Sequence, residues 1–166
     1  MAIELETERL RFRQWREGDV EALYVFHNDP VTKAVYGVEF TRAEIWRRVA
    51  MFSGHWQMRG FGPLALEEKE TGSFAGYCGL WFPESWDDIE IGYGIAPEHR
   101  RKGYAVEAIR RVRDHGYHER GIKRLVSYIA PANLASQAVA KKLGAIPDGE
   151  FMMHGKPHTI YLHQKP

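Results

Sequence analysis

The stretch that decides the fold occupies residues 88–111 and reads DIEIGYGIAPEHRRKGYAVEAIRR. It predicts a strand over residues 89–96, a turn that contains a proline, and a helix over about residues 103–118. At the start of a helix the first four N–H groups have no partner inside the helix, and the helix dipole is positive there. This stretch therefore predicts a place where an anion such as a phosphate can bind.

The turn between strand and helix, RRKGYA, supplies the candidate phosphate-binding residues. Gly103 has no Cβ to keep a diphosphate away from the backbone, and Ala105 keeps the next contact small. Three basic side chains add positive charge at the same place. The candidates are Arg100, Arg101, Lys102, Gly103, Tyr104 and Ala105. A basic turn with one glycine also fits a solvated helix start, since neither a GxxxxGK[ST] loop nor a GxGxxG motif is present.

The rest of the chain predicts an α/β fold. We expect a strand over residues 5–15, helices beginning at Asp19 and Thr41, a hairpin over residues 63–68 and 73–82, a strand over 124–130, a helix over 133–143 and a final strand pair. Residues 29–39 and 83–87 are expected to be loops. This order predicts a mixed, largely antiparallel sheet of about six to seven strands with helices on both faces. Without an internal repeat or linker, residues 1–166 are expected to form one domain.

Charge and cysteine content limit the classes of partner. The 23 basic residues nearly balance 22 acidic ones, which disfavours binding to nucleic acid or to an anionic membrane, including an RNA site built on residues 100–102. The first residues are charged and lack the apolar segment of a signal peptide. The single cysteine, Cys78, cannot form an internal disulfide. These features predict a cytoplasmic protein.

The turn at residues 100–105 also matches the pattern Q/R-x-x-G-x-G/A, and in this respect the chain resembles the GNAT superfamily of N-acetyltransferases. Three blocks resemble the branch that contains the ribosomal-protein alanine N-acetyltransferases, in the right order over nearly the whole chain. They are LETERLRFRQWREGD at 5–19, EIGYGIAPEHRRKGYAVEA at 90–108 and NLASQAVAKKLGA at 133–145. The resemblance implies acetyl-CoA as co-substrate and a primary amine as acceptor, either a protein N-terminus or a small molecule. It also implies direct attack in a ternary complex.

Direct attack by an amine needs a base and a group that polarises the thioester oxygen. Glu90 is the candidate base, because it shares one face of a strand with Gly92 and Gly94 and stands where the family often has its catalytic glutamate. A solvent-facing glutamate at a strand start is the alternative. The resemblance implies that a backbone N–H at or beside Gly94 contacts the oxygen, and that Ile95 and Ala96 pair with the pantetheine amides.

The departing thiolate needs a hydrogen-bond donor, and here the chain differs from the family. Ala140 stands where the family motif has a tyrosine. Ser136, one helical turn beyond Asn133, or a water molecule would take the role of the general acid. Asn133 is expected to touch the pantetheine arm, to cap its helix, or to do both. The missing tyrosine leaves a non-catalytic acyl-CoA-binding or sensing module as the alternative function.

Other features of the sequence give weaker predictions. The eight histidines show no spacing typical of a metal site, so no metal is expected. His99 is expected either to lie next to the phosphate or to have no role in the site. Trp81 and Trp86 would either line an acceptor pocket or pack in the interior. Exposed strand edges and abundant aromatic residues make a homodimer plausible.

Overall fold

The computed structural model describes residues 5–166; residues 1–4, part of the predicted domain and of its charged N-terminal segment, lie outside the described residues. Within this range the helices are α1 (Asp19–Asn28), α2 (Pro30–Tyr36), α3 (Arg42–Arg59), α4 (Tyr104–Asp114) and α5 (Leu134–Lys142). The strands are β1 (Leu5–Glu6), β2 (Leu10–Arg13), β3 (Pro63–Glu68), β4 (Phe74–Trp81), β5 (Ile89–Ile95), β6 (Leu125–Ile129), β7 (Ile146–Met153) and β8 (Lys156–Leu162). None of these helices is long and apolar enough to cross a membrane.

The strands form one sheet in the order β1-β2-β3-β4-β5-β6-β8-β7. Every neighbouring pair is antiparallel except β5 and β6, which are parallel. The predicted mixed α/β fold is thereby confirmed, with eight strands instead of six to seven. The difference arises at the N-terminus, where the expected strand over residues 5–15 is two strands. The hydroxyl of Thr7 accepts from the Leu10 N–H at 2.9 Å, which stabilises the turn between them.

Helices cover both faces of the sheet, as predicted. One face packs against α4 through a core that includes Leu10, Leu66, Ile91 and Ile109, each at most 1% exposed. The other face packs against α1 and α3 through a second cluster that includes Leu23 and Ile45. Each fully buried side chain of this size contributes about 1.5–3 kcal/mol through the hydrophobic effect. The sheet, with β5 in it, lies between these two cores.

The prediction of a loop over residues 29–39 is wrong, because this segment contains α2. The side chain of Asp29 accepts from the N–H groups of Val31 and Thr32, each at 3.1 Å, and so caps the helix. Pro30 occupies the first turn, where its missing N–H costs nothing. Gly37 ends the helix with φ +71°, a backbone conformation that favours glycine.

Candidate active site

The parallel pair β5 and β6 separates soon after it begins. Its register contains only Ile89 opposite Leu125 and Glu90 opposite Val126. Just beyond, the Ser127 hydroxyl donates to the carbonyl of Ile91 at 2.9 Å in place of a backbone partner. The later part of β5 therefore has a free edge on the side of β6, and this opening is called the splay below.

A cleft of about 510 Å³ runs from the splay to the start of α4, between α2 and α5. A volume of this size suits a small molecule or cofactor. The most informative lining residues are Val31, Tyr93, Gly94, Ile95, Gly103 and Ser136. The structure thus brings together the strand, the turn and the α5 start that the sequence suggested, and adds α2, which the sequence analysis missed.

The hydrogen bonding of β5 decides which backbone groups face the splay. The N–H of Ala96 donates to the Ala75 carbonyl at 2.9 Å, and the register pairs Gly94 with Tyr77. Because alternate residues of a strand point their backbone groups to the same side, the N–H of Gly94 faces β4. The N–H groups of Tyr93 and Ile95 face the splay instead. The N–H groups available at the splay therefore belong to the two neighbours of Gly94 and not to Gly94 itself.

The prediction for Ala96 needs correction. Its N–H is bonded to β4, and its carbonyl accepts from the His99 N–H at 2.9 Å. Its N–H is therefore not available to the pantetheine, and Ala96 is not among the residues that line the cleft. Ile95 keeps its N–H toward the splay, while its carbonyl accepts from the Arg100 side chain at 3.3 Å.

The surroundings of Gly94 leave no room for a side chain. A Cβ built on it would lie 2.5 Å from the ring of Phe26 and 2.7 Å from the ring of Tyr77, closer than any real Cβ contact. These two aromatic rings therefore close directly over the backbone of β5. Gly94 belongs both to the cleft lining and to the strand face that carries Glu90, so it connects the two.

The turn before α4 has the backbone of an anion-binding site. Gly103 has φ +85° and Arg101 has φ +63°, both in the left-handed region. Gly103 stands at the N-cap of α4 without any side-chain cap, so the N–H groups of the first turn are left without a side-chain acceptor. Successive N–H groups in such a conformation converge on one point, and this geometry fits the pyrophosphate of coenzyme A.

The basic side chains of the turn have different surroundings. Arg100 forms an ion pair with Asp29 at 2.7 Å and donates to the Thr32 hydroxyl at 2.8 Å, so it joins the turn to α2. Lys102 lies 3.5 Å from Glu68. Arg101 is exposed and makes no ion pair within the described part of the chain. Of the three, Arg101 is therefore the side chain with most freedom to meet a phosphate.

Arg9, which the sequence analysis did not single out, supports the turn from the other side. Its guanidinium donates to the Lys102 carbonyl at 2.9 Å and to the Glu107 carboxylate at 2.8 Å. Glu107 would otherwise repel an anion from the first turns of α4. The pairing with Arg9 offsets that charge, and no local sequence pattern links residues 98 positions apart.

Tyr104 and His99 are buried residues that also belong to the lining of the cleft. The Tyr104 hydroxyl donates to Glu68, which raises the pKa of Tyr104 to about 12 and lowers the pKa of Glu68 to about 2. His99 is buried and lies 3.2 Å from the Ser73 hydroxyl. The Tyr104 hydroxyl is thus bonded inside the protein, while His99 lies beside the turn, where the sequence analysis expected a neighbour of the phosphate.

Glu90 is half-buried on the face of β5 that also carries Gly92. A Cβ added to Gly92 would lie 3.7 Å from the Glu90 Oε2, so the carboxylate lies over a position without a side chain. Desolvation raises the pKa of Glu90 to about 8, and the backbone N–H of Tyr128 acts in the opposite direction. A carboxyl group with this pKa has the properties of a general base near neutral pH.

The start of α5 carries the remaining candidates. The side chain of Asn133 accepts from the Ser136 N–H at 3.1 Å, which confirms that Asn133 caps this helix. Ser136 lines the cleft and accepts a hydrogen bond from the Tyr93 hydroxyl at 2.9 Å. Ala140 is buried in a small cluster with Ile129, away from the cleft lining.

Two further candidates of the sequence analysis are partly buried and pack against other aromatic rings. Trp81 packs against Phe52 with ring centroids 5.5 Å apart, and Trp86 packs against Tyr128 at 5.0 Å. Cys78 is fully buried, and burial raises the pKa of its thiol, so it is not a reactive nucleophile. Among the described residues no cluster of three or more His, Cys, Asp or Glu side chains is arranged for a metal ion.

Fold and cleft together define an acyltransferase, and comparison with known proteins gives its family. Residues 9–146 match the family described as the acetyltransferase (GNAT) domain. Because this match spans most of the chain, the protein belongs to the GNAT family of acetyltransferases. The resemblance deduced from the three sequence blocks is confirmed.

Individual relatives agree with this assignment. The chain is 32% identical over 173 residues to the uncharacterized N-acetyltransferase YoaA of Bacillus subtilis, covering 98% of this chain and 97% of YoaA. It is also similar to the acetyltransferase of Agrobacterium tumefaciens, with a TM-score of 0.86, 27% identity and coverage of 97% and 94% of the two chains.

More distant solved structures share the fold. One is a spermidine N-acetyltransferase of Vibrio cholerae in complex with CoA and spermine, with a TM-score of 0.71, 18% identity and coverage of 95% and 97% of the two chains. Ribosomal-protein acetyltransferases are among these structures as well.

Proposed function

We propose that this protein transfers the acetyl group of acetyl-CoA to a primary amine, by direct attack of the amine in a ternary complex. The observation that carries the proposal is the continuity of the cleft. One end is the free backbone edge of β5 at the splay, and the other is the bare N-terminus of α4. A thioester and a pyrophosphate at opposite ends of one extended molecule need such an arrangement.

The coenzyme would be held mainly by backbone groups. The N–H groups of the first turn of α4, made accessible by Gly103 and Ala105, would bind the pyrophosphate, with Arg101 adding charge. Ile95 would pair with a pantetheine amide as a neighbouring strand does. Asn133 lies beside this path while capping α5. The positive charge of Arg100 would attract the pyrophosphate, while its ion pair with Asp29 holds α2 in place.

The chemistry follows from the groups around Gly94. The amine nitrogen attacks the thioester carbon, and the oxygen that becomes negative accepts hydrogen bonds from the splay-facing N–H groups of Tyr93 or Ile95. Glu90 takes the proton that the amine loses, directly or through a water molecule. The C–S bond breaks with its electron pair on sulfur, and CoA leaves as a thiolate near Ser136.

The relatives support the chemical class of the acceptor. YoaA is named an N-acetyltransferase, and the Vibrio cholerae spermidine N-acetyltransferase shares the fold and has CoA and spermine bound. We propose a primary amine for this chain too, on a small molecule or at a protein N-terminus.

Two measurements test the proposal. Calorimetric titration with acetyl-CoA gives the affinity, and a thiol reagent follows release of CoA in the presence of polyamines, amino acid amides and short peptides with free N-termini. We expect release that depends on an amine and falls at least a hundredfold in Glu90→Gln, with unchanged affinity for acetyl-CoA. Binding of acetyl-CoA without release for any amine would instead identify a non-catalytic acyl-CoA-binding module.

A further inference from the structure

A hydrogen bond joins the two sides of the cleft near the splay. The hydroxyl of Tyr93 on β5 donates to the hydroxyl oxygen of Ser136 on α5 at 2.9 Å. Both side chains are partly buried and both line the cleft. We call these two hydroxyls the hydroxyl pair. They are 43 residues apart in the sequence, so only the fold brings them together.

The direction of this hydrogen bond sets what Ser136 can do. A serine hydroxyl has one hydrogen to donate and two lone pairs to accept with. Tyr93 occupies one lone pair, and the backbone N–H of Ser136 is bonded to Asn133 at 3.1 Å. Tyr93 thus holds the Ser136 oxygen and Asn133 holds the Ser136 backbone, while the hydroxyl hydrogen remains available for an acceptor in the cleft.

The hydroxyl pair lies at the segment of β5 where the proposed function puts the thioester. Tyr93 itself offers the splay-facing N–H that would polarise the thioester oxygen, so the thioester and the hydroxyl pair share one segment of β5. Ala140, where a tyrosine was expected from the family motif, is buried with Ile129 and Tyr161. A donor for the thiolate therefore has to come from elsewhere in the cleft, and the hydroxyl pair lies there.

We propose that Tyr93 is a positioning residue that orients Ser136 so that the Ser136 hydroxyl donates a hydrogen bond to the departing thiolate of CoA. This inference rests on the proposed function. As the C–N bond forms and the C–S bond breaks, the electron pair stays on sulfur and the amine proton goes to Glu90. Ser136 keeps its proton, because an aliphatic hydroxyl is a far weaker acid than a thiol. The hydroxyl pair stabilises the thiolate and does not protonate it.

The surroundings of Tyr93 agree with this role. Desolvation raises the pKa of Tyr93 to about 12, while the hydrogen bond with Ser136 acts in the opposite direction. Tyr93 therefore stays protonated and remains a donor to Ser136 throughout the working pH range. Because a hydrogen bond to a charged group is stronger than one between neutral groups, the effect of the pair is largest when the thiolate forms.

The test measures the pKa of the CoA thiol in its complex with the protein, from the ultraviolet absorbance of the thiolate during a pH titration. The variants are Tyr93→Phe, which removes only the hydroxyl, Ser136→Ala, and Ser136→Thr, which restores a hydroxyl. Tyr24→Phe is the matched control, since Tyr24 is a partly buried tyrosine on α1 outside the cleft lining. Thermal unfolding of each variant verifies that it is folded.

We expect the bound thiol to have a pKa about one unit higher in Tyr93→Phe and in Ser136→Ala than in the wild type, and Ser136→Thr and Tyr24→Phe to resemble the wild type. In turnover, Tyr93→Phe should lower kcat roughly tenfold with little change in KM for acetyl-CoA. The double variant with Tyr93→Phe and Ser136→Ala should lose no more of kcat than Ser136→Ala alone, because Tyr93 acts through Ser136.

Two results would overturn the inference: a bound-thiol pKa that Tyr93→Phe leaves unchanged, or additive losses in the double variant. Failure of the proposed function has a different signature: the wild-type protein would bind acetyl-CoA but would release no free CoA with any amine. The titration of the bound thiol still decides the role of the hydroxyl pair in that case. A protein that does not bind CoA at all would contradict both proposals.

Discussion

Arg100 and Asp29 form an ion pair at 2.7 Å that joins the turn before α4 to α2, 71 residues earlier in the chain. Desolvation raises the pKa of Asp29, but the hydrogen bonds from Arg100 and from Thr32 outweigh it and hold the pKa below its usual value. Asp29 also caps α2. One carboxylate thus organises both walls of the cleft.

Replacement of Asp29 by alanine should destabilise the protein by about 1–2 kcal/mol, because it removes a helix cap and leaves the guanidinium of Arg100 without its partner. Urea unfolding measures this change. The control is Glu39→Ala, which breaks the exposed Lys33–Glu39 pair and should cost about 0.5 kcal/mol or less. Equal losses in the two variants would mean that the Asp29 contacts contribute no more than a surface pair.

Gly103→Ala should weaken acetyl-CoA binding at least tenfold and destabilise the protein by about 1 kcal/mol, because its φ of +85° disfavours any side chain and a change of this backbone would move the N–H groups that we propose bind the pyrophosphate. Gly121→Ala is the matched control. Gly121 has φ +67°, has open space around it and lies outside the cleft lining. It should show the same loss of stability with unchanged affinity by calorimetry. A parallel fall in affinity would refute a phosphate site at Gly103.

The pH dependence of the reaction should report Glu90. Because desolvation raises its pKa to about 8, the carboxylate form that accepts a proton increases as the pH rises through 8, and kcat/KM should rise with it. In the fold this raised pKa means that the folded state binds a proton more tightly than the unfolded chain. The contribution of Glu90 to the free energy of unfolding is therefore greatest below about pH 4.5. It is lost as the pH rises toward 8, by up to about 1.4 kcal/mol per pH unit.

Glu90→Gln separates these effects. It should remove the limb of the pH–rate profile near 8 and should flatten the pH dependence of urea unfolding between about pH 6 and 8. A rate profile that keeps the limb in Glu90→Gln would assign it to the amine itself. An unfolding profile that does not change would show that Glu90 is hydrated and not the shifted group.

His27 should make the protein sensitive to mild acid. Its ring is buried among Phe26, Tyr36 and Phe40, and in the described structure neither ring nitrogen has a hydrogen-bond partner. Desolvation, with a smaller contribution from Arg48, lowers its pKa to about 3. The unfolded chain takes up the proton first, so stability is full above about pH 6.5 and is lost as the pH falls toward 3.

Urea unfolding between pH 5 and 6.5 measures this loss, which should reach about 1.4 kcal/mol per pH unit for one histidine. His27→Leu should reduce the slope, whereas His118→Gln, at an exposed position, should leave it unchanged. The buried His163, whose pKa desolvation lowers to about 4, accounts for the slope that remains. A slope that His27→Leu does not alter would show that the pKa of His27 is the same in the folded and the unfolded state.

Local signals explain what could be predicted before the structure. The strand, turn and helix around Gly103 can be predicted because proline and glycine influence the backbone conformation only of residues close to them in the sequence. The same kind of signal marked α2, with Asp29 and Pro30 at its start and Gly37 at its end. A helix of seven residues is too short to show a clear helical period of apolar residues, so the sequence predicts a loop there.

Several features of the site depend on contacts between distant residues. The pairing of Arg9 with Glu107, the ion pair of Arg100 and the hydroxyl pair leave no trace in local periodicity. The assignment of Ala96 failed for a related reason. Which side of a strand a backbone N–H faces depends on its neighbour, and the bond from Ala96 to Ala75 becomes visible only in the sheet.

By itself, the sequence determined that β5 leads through a glycine turn into α4, since backbone preference and helix-end geometry are properties of neighbouring residues. The tertiary structure alone decided how that turn is used. By separating β5 from β6 it opened a cleft, by pairing Arg100 with Asp29 it left Arg101 and the backbone to meet a phosphate, and it set Tyr93 against Ser136. Each of these depends on the packing of elements far apart in the chain, which local chemistry does not specify.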